Sequence, residues 1–225
     1  MPRSAATRRA RLGSGHRPRR RASPRGAEGR RLVNTQPLRL ALIIASTREG
    51  RFGGAVGQWA AGLAHGRPEY AIDIIDLADF VLPSDLSGSA DVGDLAKRVG
   101  AADAFLIVTC EYNHGYPASL KLAIDSLRQE WAAKPVGFVS YGGVAGGLRA
   151  VEQLRQVFAE LHAVTVRDTV SFHFPHTHIE ADGRVNDPAT AEAAETAGRT
   201  LFNQLAWWGT ALRDARKAVP YAPVT

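Results

Sequence analysis

Short apolar runs and stretches with apolar positions at helical spacing take turns along the chain from residue 38 onward. Residues 38–45 are apolar but for Arg39 and end in turn formers, the pattern of a strand covered on both faces of a parallel sheet. Runs at 70–77, 103–109, 136–141 and 164–170 predict four more strands. Helical patterns lie between them, at about 55–64, 95–100 and 148–161, with another starting near Pro117 that places Leu120, Ile124 and Leu127 on one face. Asp187 and Pro188 supply an N-cap and a first helical residue for a final helix reaching about residue 212. This alternation predicts an α/β fold with a doubly wound, five-stranded parallel sheet, order 2-1-3-4-5, and helices on both faces.

Ligands bind to such a sheet beyond the carboxyl ends of the strands, where the order reverses. Three loops there carry more than turn residues. After strand one comes Ser46-Thr47-Arg48-Glu49-Gly50-Arg51-Phe52-Gly53-Gly54, opening a helix. Unpaired N–H groups, the positive end of the helix dipole and a guanidinium fork together suit a phosphate monoester. After strand three comes Thr109-Cys110-Glu111-Tyr112-Asn113-His114-Gly115-Tyr116, whose backbone and side chains could grip a flat ring edged with heteroatoms. After strand four, Ser140-Tyr141-Gly142-Gly143 leads into Gly146 and Gly147, and four glycines in six residues allow close approach of backbone to a ligand. Each loop alone has a plainer reading: an N-cap beside an exposed arginine, an ordinary strand-to-helix connection, a flexible turn. Together they would meet at one edge of the sheet. No Gly-Lys pair of a Walker A loop, Gly-x-Gly-x-x-Gly fingerprint or Gly-x-Ser-x-Gly elbow occurs.

Charge changes the picture only once it is located. The chain has 225 residues and a net charge of +6, but residues 1–31 hold eleven arginines against Glu28 alone. The remainder carries 17 basic and 21 acidic residues, a net of −4, so a nucleic-acid role is not expected of the folded part. Residues 1–37 are too poor in large apolar side chains to offset the entropy of ordering, and disorder is expected there. That stretch reads as a nucleic-acid arm, a transit peptide or an extension without a role; residues 38–225 make one domain. The apolar runs are far shorter than the roughly 18 residues of a membrane span. One cysteine forms no internal disulfide, and a cytoplasmic setting is expected.

Three further features need a reading. His173, His176 and His178 invite a metal, yet no cysteine or carboxylate joins them at ligand spacing, so no metal site is expected. Cys110 has no visible activating neighbour and reads as a buried, inert thiol. Trp207 and Trp208 suggest core or interface packing, since adjacent residues face different sides of a helix.

The stretch Glu111-Tyr112-Asn113-His114-Gly115-Tyr116-Pro117-Ala118-Ser119-Leu120-Lys121 resembles the flavin-ring loop of the NADPH-dependent FMN reductase family, and the likeness extends from about residue 38 to 212. Ser46, Thr47 and Arg48 match the family's phosphate loop, with Arg51, Phe52 and Gly53 following. The resemblance implies a flavodoxin-like fold, an FMN phosphate on those residues, and its ring against Cys110, Glu111, Tyr112, Asn113, His114 and Gly115. Tyr112 would be a wall, Glu111 and Asn113 a polar edge, and Ser140, Tyr141, Gly142 and Gly143 the border on the nicotinamide side. Cys110 stands where the family has proline, and Leu122 where it usually has asparagine. NADPH or NADH would reduce the flavin at N5, and a quinone, azo compound, metal oxyanion or free flavin would reoxidise it, with no acid, base or nucleophile assigned. A homodimer or homotetramer without membrane or nucleic acid is implied. A flavodoxin-type electron carrier is the nearest alternative, and Arg48 argues against it.

Overall fold

A computed structural model of the chain describes residues 36–222. The expected disorder of residues 1–37 lies outside the described residues up to position 35. Strands β1 (Leu38–Ile44), β2 (Tyr70–Asp76), β3 (Ala104–Cys110), β4 (Pro135–Gly142) and β5 (Val164–His173) pair in parallel in the order β2-β1-β3-β4-β5. Helices α1 (Gly53–His65), α2 (Ala90–Ala101), α3 (Ala118–Asp125), α4 (Leu148–Glu160) and α5 (Pro188–Ala218) connect and follow them.

Successive side chains of a strand point to opposite faces, and here the two faces carry separate cores. Leu38, Leu40, Leu42 and Ile44 pack with Leu106, Val108, Val56 and Ala60 of α1, and Leu201, Phe202 and Leu205 of α5. On the other face Ala41, Ile43, Phe105, Ile107 and Phe138 meet Leu95 of α2, Ile124 of α3 and Leu154 and Phe158 of α4. The uniform apolarity of β3, buried at all seven positions, follows from this two-sided cover. α5 passes so close to β4 that a Cβ on Gly137 would lie 2.8 Å from Leu201 and 2.9 Å from Leu205. Glycine at that position brings the two elements together.

Three elements are longer than their apolar patterns. α2 begins at Ala90, where Ser89 accepts a hydrogen bond from the Val92 N–H, although only Leu95 and Val99 are buried. β5 runs on to His173 because Ser171, Phe172 and His173 keep pairing with Ser140, Tyr141 and Gly142. α5 continues past residue 212 because two arginines, not apolar side chains, hold its last turns: Arg213 donates to the Gln36 carbonyl, and Arg216 pairs with Asp103 at 3.2 Å. Trp207 and Trp208 are 65% and 37% exposed, so they are not core residues of the chain.

The same arginines line a cleft of about 440 Å³ at the amino edge of the sheet, with Arg39, Asp103 and Lys134. Lys134 Nζ donates to the Val99 and Gly100 carbonyls at the end of α2, at 3.0 and 2.9 Å. Burial, with Arg216 adding, lowers its pKa to about 8. Lys134 lies at the carbonyl end of α2, which attracts positive charge, while Arg213 and Arg216 donate to the Gln36 and Ala133 carbonyls outside any helix and share Asp103. The cleft lies at the edge opposite the three loops.

Candidate active site

The loop between β1 and α1 contains two arginines with different surroundings. Arg51 forms a bidentate pair with Asp76 at the end of β2, with Nη2 to Oδ2 at 2.5 Å, and also donates to the Ser46 carbonyl at 2.6 Å. The Asp76 hydrogen bond raises the guanidinium pKa against the lowering effect of burial. Arg51 therefore braces the loop. Arg48 is exposed, has no carboxylate partner among the described residues, and lies 5.7 Å from the centre of the Tyr112 ring. Thr47 is exposed beside it, Ser46 is buried, and Phe52 packs against the α1 core.

α1 starts directly after Phe52 with no side-chain cap and no acidic residue in its first turn. Its leading N–H groups and positive dipole end thus face the loop without a protein carboxylate to satisfy them. Gly53 leaves room for Tyr141: a Cβ there would lie 2.9 Å from the tyrosine hydroxyl.

Beyond β3 the chain makes a tight turn. Tyr112 N–H donates to the Gly115 carbonyl at 2.9 Å, and Gly115 N–H returns to the Tyr112 carbonyl at 3.0 Å. Asn113 and His114 between them have φ of 47° and 77°, the left-handed conformation that a two-residue turn of this kind demands at both centres. Their own N–H groups have no hydrogen-bond partner among the described residues. Gln153 of α4 secures the turn from outside by donating to the His114 carbonyl.

The hydroxyls of Tyr112 and Ser46 are 2.9 Å apart, which ties this turn to the loop between β1 and α1. Burial raises the pKa of both Tyr112 and Tyr141, so both are neutral phenols at neutral pH. Cys110 is buried, as expected of it. The Glu111 side chain, 6% exposed, pairs with Arg149 of α4, while its second oxygen is buried without a partner.

The glycine loop after β4 is held from β4 itself, from β5 and from the residue that follows β5. Ser140 and Ser171 both donate to the Gly146 carbonyl at 2.8 Å. His173 Nδ1 donates to the Val144 carbonyl at 2.9 Å, and the Phe174 N–H to Gly142 at 2.7 Å. At Gly147 φ is 84°, and a Cβ would fall 2.9 Å from the backbone N and O of Tyr141. No other residue fits there.

The three loops do meet. Ser46 touches Tyr112, Gly53 covers Tyr141, and a Cβ on Gly142 would lie 3.6 Å from that of Glu111. Ser140 and Tyr141 are buried supports behind the surface, while Gly142 and Gly143 lie at the loop surface. Asp76, Ser171, His173 and Phe174 also belong to the site's framework and have no motif of their own. A strand pattern ending at residue 170 hid the last three; only the pairing of β5 with β4 brings them to the loop. The histidines do not converge with acids: among the described residues no group of three metal-ligating side chains forms.

A doubly wound sheet with strand order 2-1-3-4-5, and with an uncapped helix N-terminus, an arginine without a carboxylate partner among the described residues and a tight turn at its switch-point edge, has the architecture of the flavodoxin-like class. Residues 38–177 match the model of the NADPH-dependent FMN reductases, and the chain belongs to that family. An NAD(P)H-dependent FMN reductase of Schizosaccharomyces pombe is 34% identical over 130 residues, 53% of this chain and 64% of that protein, so the chain spans just under two-thirds of its length. A quinone reductase of Escherichia coli K12 is 34% identical over 141 residues, 59% of this chain and 75% of that protein. The flavoenzyme NAD(P)H:(acceptor) oxidoreductase of Paracoccus denitrificans has the same fold, with a TM-score of 0.62 and 24% identity over 77% of this chain and 97% of that one.

Proposed function

We propose that this chain is an FMN-dependent oxidoreductase that takes electrons from NADPH or NADH. It passes them to a small acceptor, a quinone, azo compound, metal oxyanion or free flavin, in two successive half-reactions. The observation that carries the reading is the division within one loop that leads into an uncapped helix: Arg51 is bound to Asp76, and Arg48 has no carboxylate partner among the described residues.

FMN, when bound, supplies two-electron chemistry that no side chain here provides. The protein's residues hold and orient. Arg48 and the first N–H groups of α1 suit a phosphate dianion. The N–H groups of Asn113 and His114, without partners among the described residues, suit a ring edge that becomes negative on reduction, because the turn fixes them in place before the charge arrives. Tyr112, its hydroxyl held by Ser46, offers an apolar face, and the glycine loop lets backbone approach closely. The relatives' names favour a nicotinamide donor and a quinone or flavin acceptor. A homodimer or homotetramer in a reducing cytoplasm is part of the same proposal, in keeping with the single cysteine; no described helix is long and apolar enough to cross a membrane.

The chain is purified, mixed with FMN, freed of unbound flavin by gel filtration and assayed for NADPH oxidation with menadione at several fixed acceptor concentrations. Visible flavin absorbance, turnover well above that of free FMN and parallel double-reciprocal lines are expected. A colourless protein removes the cofactor assignment, and bound FMN without NADPH turnover makes the chain an electron carrier.

A further inference from the structure

Phe174 has a backbone conformation that its residue type disfavours. Its φ and ψ are 46° and 56°, the left-handed region, where a Cβ crowds the following carbonyl and bulky side chains are rare. Pro175 follows, and proline disfavours helical conformations in the residue before it. Burial does not compensate, because Phe174 is 45% exposed. The surroundings nevertheless hold it there. Its N–H donates to the Gly142 carbonyl at 2.7 Å, and its carbonyl accepts from the Thr177 N–H and hydroxyl at 2.9 and 2.8 Å. Asparagine or glycine would meet the same backbone bonds with less strain.

Strain that the surroundings enforce and packing does not reward points to a use for the side chain. The ring edge flanks the glycine loop: a Cβ on Gly143 would lie 3.7 Å from Phe174 Cε1. Val144 in that loop is also exposed, and His176 meets the ring edge to face at 6.3 Å. Ring and valine form an apolar lip on a loop whose other outward groups are backbone.

We propose that Phe174 is a specificity-determining residue whose exposed ring forms one wall of the acceptor pocket and stacks on flat, aromatic acceptors in preference to compact inorganic ones. This rests on the oxidoreductase reading above. An offset ring stack strengthens binding by about 2- to 12-fold, and this sets the expected effect. The left-handed backbone aims the side chain across the loop.

The FMN-loaded wild-type chain is compared with Phe174→Gly, which removes the ring and relieves the backbone, and with Phe174→Tyr, which keeps a ring. The ratio of kcat/KM for menadione to that for ferricyanide is expected to fall about 2- to 12-fold in Phe174→Gly, through the KM for menadione, and to return in Phe174→Tyr. Menadione binding to the oxidised protein without NADPH, followed by perturbation of flavin absorbance, should weaken by a similar factor. The melting temperature of apo Phe174→Gly should equal or exceed that of the wild type. An unchanged acceptor ratio overturns the proposal. So does a lower melting temperature with an altered gel-filtration position, which makes the ring an interface residue. A wild-type chain that binds no FMN, or turns over with neither acceptor, instead removes the reading beneath it.

Discussion

Replacing Arg48 and Arg51 separately with methionine distinguishes a ligand from a brace in one loop. Arg48 has no carboxylate partner among the described residues and only a ring contact with Tyr112, so its loss should cost the apo fold at most about 1 kcal/mol. On the proposed function the same change removes a charge-assisted bond to phosphate, about 1.5–3 kcal/mol, which weakens FMN binding about 10- to 150-fold. Arg51 and Asp76 are 22% and 19% exposed, between the surface pair that contributes little and the buried pair whose rupture is severe. Losing that pair and the bond to the Ser46 carbonyl should cost about 1–3 kcal/mol, and at about 2–4 °C per kcal/mol for a domain of this size the apo melting temperature drops by roughly 2–12 °C. Asp76→Asn should destabilise similarly, and the double variant should be little worse than either single one. Flavin-fluorescence titration and thermal denaturation of the apo protein read the two effects separately. If Arg48→Met binds FMN normally while Arg51→Met binds weakly with an unchanged melting temperature, the roles are reversed and the argument from the Asp76 pair is wrong.

Tyr112→Phe removes the hydroxyl contact with Ser46 and should cost about 0.5–1.5 kcal/mol of apo stability; an unmoved urea midpoint would show that the tether does not hold the two loops together. Gly147→Ala places a Cβ against the Tyr141 backbone at a φ of 84°, and a loss of at least about 2 kcal/mol is expected on chemical denaturation. Lys134 has a folded pKa of about 8, below its unfolded value, so between these two values the unfolded chain binds the extra proton and stability rises with pH. The full span corresponds to about 3 kcal/mol, and the rise is best followed below pH ~10, since Tyr70 and Tyr141 have raised pKa values and remove stability once unfolded tyrosine ionises. Lys134→Met should abolish the rise; a wild-type slope in that variant would assign it to another group.

The five strands and their order were legible because a parallel sheet covered on both faces requires continuous apolar runs, and β1, β3 and β4 have them. Element ends were less legible where something other than apolar contact sets them. Nothing in the pattern after residue 212 calls for more helix; Arg213 and Arg216 extend α5 by reaching carbonyls and Asp103 that are distant in sequence. The last turn of pairing in β5 depends on β4 in the same way, and it carries Ser171 and His173 to the glycine loop.

For the site itself, residue type located the loops, and partners decide the role of each side chain. Arg48 matches the family's phosphate loop directly and Arg51 follows at family-like spacing, but the sequence does not say that Asp76, on a neighbouring strand end, occupies Arg51. Ser140 and Tyr141 have the chemistry of ligand contacts but face inward, where one holds Gly146 and the other fills the space Gly53 leaves. Asn113 and His114 matter first for their left-handed backbone, a property the turn imposes and neither side chain declares. Among the described residues, the donors that these pairings leave over are the Arg48 guanidinium, the first amides of α1 and the amides of one tight turn, while the acceptor left over, the second oxygen of Glu111, is buried on a carboxylate already paired with Arg149. On the proposed function, a ligand that meets these donors accepts hydrogen bonds at both an anionic end and a ring edge, which suits a phosphorylated, heteroatom-edged ring.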